Sequence, residues 1–165
     1  MNAETLLICG TDPYETKTIL WTQWIMKGIQ NGQKCIMMNP RRTAGVAYAE
    51  KNGGLWLDVN LGTDLLVVNA IARIIAENGW QDAEWIKNWV NNKWGSSSGF
   101  GQGTRNTPWQ WRTTWGKFQT NGYDDWKKWL LSQDEFKPEN AAEVAGIDVK
   151  KIRLAAEWMA KPKGG

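Results

Sequence analysis

Leu6-Leu7-Ile8-Cys9-Gly10-Thr11-Asp12-Pro13 is the stretch that decides the fold. A short apolar run, too short for a helix, breaks off into turn-forming residues, as expected of a buried strand that enters a tight turn. The spacing predicts a strand over residues 6–9. After it, Ile19, Leu20, Trp24, Ile25 and Ile29 recur near helical spacing and Asn31-Gly32 supplies a stop, which predicts a helix over residues 14–30. Lys34-Cys35-Ile36-Met37-Met38 repeats the strand pattern before Asn39-Pro40-Arg41-Arg42. An alanine-rich helix follows over 43–51, closed by Asn52-Gly53-Gly54. A third strand over 55–59 alternates Leu55, Leu57 and Val59. Gly62-Thr63-Asp64 then opens a strong helix carrying Leu65, Leu66, Val68, Ile71, Ala72 and Ile75, which ends at Asn78-Gly79.

Strands that alternate with helices make an α/β fold, a βαβαβ unit with a parallel sheet covered on both faces. In such sheets ligands sit beyond the carboxyl ends of the strands. Those ends are Gly10-Thr11-Asp12, Asn39-Pro40-Arg41 and Gly62-Thr63-Asp64, so all three should line one crevice. The organisation expected is a nucleotide-binding unit over 1–79 and a helical, long-loop segment of the same domain over 80–165. In the second part the expected helices are 82–94, capped by Asp82, then 123–132, 138–144 and 148–160. Residues 95–119 have no period of either kind and read as a long loop.

Composition narrows the chemistry. The 165 residues carry 20 basic and 17 acidic side chains in no block, which gives no nucleic-acid stripe. No histidine is present, so no Ser-His or Cys-His catalytic pair forms within the chain. The two cysteines, Cys9 and Cys35, supply neither a disulfide scaffold nor a metal cluster and read as small core residues. No apolar run is long enough for a membrane span, and the first residues lack the basic start of a signal peptide. The chain therefore reads as soluble or as a piece of something larger. Thirteen tryptophans are the one oddity; Trp85, Trp89, Trp126 and Trp129 have the spacing of packing residues.

The familiar nucleotide motifs fail on residues. A dinucleotide fingerprint needs three spaced glycines, and only Gly10 is present. A P-loop needs a glycine where Glu15 stands, and Lys17-Thr18 arrive one position late. There remain a strand-end turn, the fork-shaped guanidinium of Arg41, and Asp64, whose carboxylate can accept from the N–H and amino edge of guanine. Each also has a plain structural reading: Gly10, Asp12 and Pro13 as turn and cap, Arg41 and Arg42 as solvated charges, Thr63 or Asp64 as a helix cap.

The succession CGTDPYETKT, MMNPRRTAGVAYAE and LGTDLLVVNAIARIIAENGW resembles the pterin-dinucleotide-binding region of the dimethyl sulfoxide reductase superfamily of molybdenum enzymes. That superfamily usually reads G-x-N-P, D-P-R and P-G-T-D at its strand ends. Here Asp12 replaces the asparagine, Asn39 the aspartate and Leu61 the proline. The later GFGQGTRNTPWQWRTTWGKFQTNGYDDWKKWLLSQDEF and AAEWMAKPK resemble the large subunit of arsenite oxidase in particular. The resemblance implies an internal fragment of a subunit that oxidises arsenite to arsenate. It implies a molybdenum bis(molybdopterin guanine dinucleotide) cofactor, an iron–sulfur cluster whose ligands lie outside this chain, a Rieske-type small subunit, a periplasmic location and a periplasmic electron acceptor. By the same resemblance the chain binds cofactor and carries no catalytic residue or metal ligand. Gly10 and Asp12 would lie near phosphate or ribose, Asn39 and Arg41 on ribose or phosphates, and Gly62 and Asp64 at the guanine end. The alternatives are a stand-alone guanine-nucleotide-binding module without catalysis, and a carbohydrate- or peptide-binding domain built on Trp109, Trp111 and Trp115.

Overall fold

A computed structural model describes residues 3–87 and 123–161. The contacts divide the chain into one compact unit of Met1–Trp80 with Asp134–Gly165 and a second of Gln81–Gln133.

The first unit is built on a parallel sheet in the order β1-β2-β3, with β1 Thr5–Cys9, β2 Lys34–Met38 and β3 Leu55–Leu57. Thr5 faces Lys34 and Cys9 faces Met38; Ile36 faces Leu55 and Met38 faces Leu57. Because successive strand residues point to opposite faces, β2 feeds two cores. Cys35 and Met37 join Ile8, Trp21, Ile25, Ile29, Val46 and Ala49 on one face. Ile36 and Met38 join Leu57, Val67, Ile71, Ile74, Ile152 and Ala156 on the other. β3 stops at Leu57, short of the expected 59, because β2 ends at Met38 and offers nothing further to pair with; Val59 is nonetheless buried.

The helix expected over 14–30 is interrupted. It runs as α1 Pro13–Thr16, α2 Thr18–Leu20, a π-helical turn Trp21–Ile25 and α3 Met26–Gln30. Lys17 leaves helical geometry (φ −141°, ψ 59°), and the π turn adds a residue to the spiral. The inward face is therefore Trp21, Ile25 and Ile29, while Ile19, Leu20 and Trp24 are exposed. Trp21 is held edge-on between the rings of Tyr14 and Tyr48.

α4 Ala44–Lys51 is capped by Thr43, whose hydroxyl accepts from the Val46 amide. α5 Asp64–Glu77 crosses the opposite face of the sheet. After a 3₁₀ turn Asp134–Phe136, the last two helices of the unit, here α8 and α9, span Pro138–Ala145 and Val149–Ala160. They pack on α5 through Ala141, Ala142, Ala145, Ala155 and Ala156, small residues that let helix backbones approach. The Thr5 hydroxyl donates to the Trp158 carbonyl at 2.6 Å and ties α9 to β1. Residues 134–161 thus pack with the sheet in one compact unit.

In the second unit, α6 Ala83–Trp85 is capped by Asp82, whose carboxylate accepts from the Trp85 amide at 2.8 Å. α7 Tyr123–Ser132 opens with Asp124 and Asp125, which suit a helix N-terminus. Trp85 and Trp129 are exposed, at 56% and 47%, while α7 buries Leu130. Ile86 and Lys87 continue the helix with π-type geometry; residues 88–94 of the expected helix, the 95–119 loop, and Trp89, Trp109, Trp111 and Trp115 lie outside the described residues. Among the described residues no helix is long and apolar enough to cross a membrane.

Candidate functional site

The three strand-end motifs come together at the carboxyl edge of the sheet. The Gly10 amide donates to the Met38 carbonyl at 3.0 Å, and the Asn39 amide to the Leu57 carbonyl at 3.1 Å, so each loop begins where its neighbour's strand ends. The start of α5 reaches the same edge. Desolvation raises the Cys9 thiol pKa above its ordinary value, and the Asp64 carboxylate raises it further.

Gly10 turns the chain with φ 65° and Gly62 with φ 81°, a region that disfavours side chains. A Cβ on either would meet nothing within 4 Å, so both backbones face open space. Asn39 is half-buried, and its Oδ1 accepts from the Arg41 amide at 3.2 Å, an Asx turn that presents Arg41 outward. The Asn39 carbonyl accepts from the Trp56 indole at 2.8 Å, which pins the loop base. Arg41 and its neighbour part company here. Arg42 pairs with Glu50 at 2.9 Å, whereas nothing among the described residues pairs with the exposed Arg41 guanidinium.

Asp12 is drawn inward, only 8% exposed. Its carboxylate caps α1 by accepting from the Tyr14 amide at 2.9 Å and also accepts from the Gly45 amide in α4 at 3.4 Å. Thr63 does not cap α5 with its side chain; the hydroxyl donates to the Asn60 carbonyl at 2.7 Å and closes the loop around Gly62. Asp64 is half-buried at the first position of α5.

Two residues were missed from sequence. Cys9 is exposed beside Asp64 rather than in the core, because it is the last residue of β1 and lies at the open end of the sheet. Its position directly before Gly10 was the available signal. Gly45 carried none, since its partner lies 33 residues away. Cys35 is buried as expected. A cavity of about 590 Å³ lies at the other end of the strands, against Glu4, Lys27, Gln33 and Lys34. It does not touch the strand-end motifs, and the strand ends are the better site because loops and helix starts converge there.

No family model matches the chain. It is 53% identical, over 98% of its length and 18% of the relative's, to iodate reductase subunit IdrA of Denitromonas iodatirespirans. This chain resembles one segment of a molybdopterin oxidoreductase. Arsenite oxidase subunit AioA of Herminiimonas arsenicoxydans is 25% identical over 98% of this chain and 18% of that relative. Among solved structures, acetylene hydratase from Pelobacter acetylenicus superimposes with a TM-score of 0.65 at 21% identity, covering 98% of this chain and 17% of that one, a likeness of fold. The chain thus spans less than a fifth of the length of the relatives it matches.

Proposed function

We propose that this chain forms the guanine-nucleotide part of a molybdopterin guanine dinucleotide site in a molybdenum oxidoreductase, and that the parent enzyme reduces iodate. The observation that carries the reading is 53% identity to an iodate reductase subunit along nearly the whole chain. Arsenite oxidation is the second reading, supported by 25% identity to an arsenite oxidase subunit. Both relatives are named as subunits, which supports a partner subunit here; the Rieske-type partner, the iron–sulfur cluster and the periplasmic location belong to the arsenite reading.

The donor set fits such a group. Arg41 offers a guanidinium fork for phosphate that no described residue pairs with, Gly10 and Gly62 leave their backbones approachable, and Asp64 offers two acceptors to the guanine edge. When bound, the cofactor supplies a metal able to exchange two electrons and an oxygen atom. The chain's own residues bind and orient its nucleotide end.

The test is to purify the full-length protein, measure molybdenum together with guanosine monophosphate released by acid hydrolysis, and assay iodate-dependent oxidation of a reduced dye against arsenite-dependent dye reduction. Metal, nucleotide and iodate turnover support the leading reading. Arsenite turnover without iodate turnover puts the second reading first. A folded, metal-free protein that binds a free guanine nucleotide leaves the stand-alone binding module.

A further inference from the structure

We propose that Asp12 is a positioning residue for the nucleotide crevice: one carboxylate caps two helices and thereby fixes the β1–α1 turn against the loop that carries Arg41. The inference rests on the nucleotide reading above. Oδ1 accepts from the Tyr14 amide at the start of α1, and Oδ2 accepts from the Gly45 amide in the first turn of α4. Thr43 satisfies the Val46 amide but leaves Gly45 for a partner from elsewhere, and Asp12 supplies it across the sheet edge. A negative charge at both helix starts is favoured electrostatically.

Gly45 shows that the contact is built into the packing. Alanine in a helix normally stabilises relative to glycine. Here a Cβ on Gly45 would overlap Asp12 Oδ1 and crowd the Tyr14 Cβ at 3.1 Å, so the glycine makes room for the carboxylate. The consequence for a ligand follows from charge. The start of α1 already holds a carboxylate, which repels a phosphate and cannot donate to it. Arg41 is then the phosphate partner of the crevice, and Asp12 sets its distance from Gly10.

The experiment compares Asp12→Ala, Asp12→Asn and Gly45→Ala with Asp148→Ala in the full-length protein lacking cofactor. Asp148 caps α9 in the same way, accepting from the Lys150 amide at 2.9 Å, and lies in no strand-end loop. Amide hydrogen exchange over residues 39–46 and the dissociation constant for GDP are the two readouts. The expected result is about tenfold faster exchange over 39–46 and about tenfold weaker GDP binding in Asp12→Ala and Gly45→Ala, with neither change in Asp148→Ala. Asp12→Asn should keep the α1 cap through its amide oxygen while loosening 39–46, and it replaces the alanine variant if that fails to fold. Unchanged exchange overturns the proposal, as does faster exchange with undiminished GDP binding. Wild-type protein that binds no GDP, while exchange still responds to Asp12, overturns the nucleotide reading instead and leaves Asp12 as a structural cap.

Discussion

Gly146 ends α8 in the left-handed conformation, φ 72°, directly against the side chain of Asn60 in the loop after β3. Asn60 donates from Nδ2 to the Val144 carbonyl at 3.1 Å and from its backbone amide to the Ala145 carbonyl at 2.9 Å. The same Asn60 carbonyl accepts the Thr63 hydroxyl, so the loop that holds Gly62 and delivers Asp64 is bolted to the end of α8. A Cβ at position 146 would lie 2.8 Å from Asn60 Nδ2. Gly146→Ala should cost about 1–2 kcal/mol, from the left-handed backbone and the displaced amide together. Thermal unfolding reads the loss, and faster amide exchange over residues 60–64 would show that it reaches the crevice.

Burial pushes the Cys35 thiol up to about 11 from an ordinary value of 9.0. The folded state therefore favours the neutral thiol. That contribution is complete below pH 9, shrinks as the unfolded chain ionises above it, and is gone once the pH passes about 11. At most it amounts to about 2–3 kcal/mol. Denaturant unfolding followed from pH 8 to 11 should show this alkaline decline, and Cys35→Ala should flatten it while lowering stability at pH 8. An unchanged slope in the variant would assign the decline to other groups.

Cys9 and Asp64 give a direct check on whether α5 begins over the end of β1. Desolvation and then the Asp64 charge hold the Cys9 thiol above its ordinary pKa, so little thiolate forms near neutrality. Asp64→Asn should lower that pKa and speed alkylation of Cys9 at pH 8, with Cys35 unreactive in both proteins because it is 1% exposed. Alkylation mapped by mass spectrometry measures it. An identical Cys9 rate in the variant would separate the two residues.

The sheet was legible because continuous apolar runs bounded by turn residues have few other readings. β2 was read over the residues it occupies, and α7 likewise. The inward face of the α1–α3 run was not, since a break at Lys17 and a π turn shift the spiral and no single-sequence period records either. What α8 and α9 pack on was not legible, for a different reason. Their alanine stripes show an apolar face without naming what it packs on, and α5 lies some 70 residues earlier in the chain. At the site, the convergence of the three strand ends was legible, because it follows from the parallel sheet. The inward turn of Asp12 was not, because its second partner comes from another loop.

Arg41 and Arg42 stand side by side in sequence, and the structure separates their roles. Arg42 spends its guanidinium on Glu50, an exposed pair that contributes roughly 0–1 kcal/mol. Arg41 is turned outward by the Asn39 side chain and pairs with no described residue. Arg41→Ala should therefore weaken GDP binding by about tenfold and lower the guanosine monophosphate recovered per protein, as expected for a lost charge-assisted contact. Arg41→Lys should recover part of it, because lysine keeps the charge but not the fork. Arg42→Ala should leave nucleotide binding within about twofold of wild type and shift the melting temperature slightly. Isothermal titration with GDP on the full-length protein distinguishes the two arginines, and equal losses from both would reduce the contact to a diffuse attraction of phosphate by surface charge.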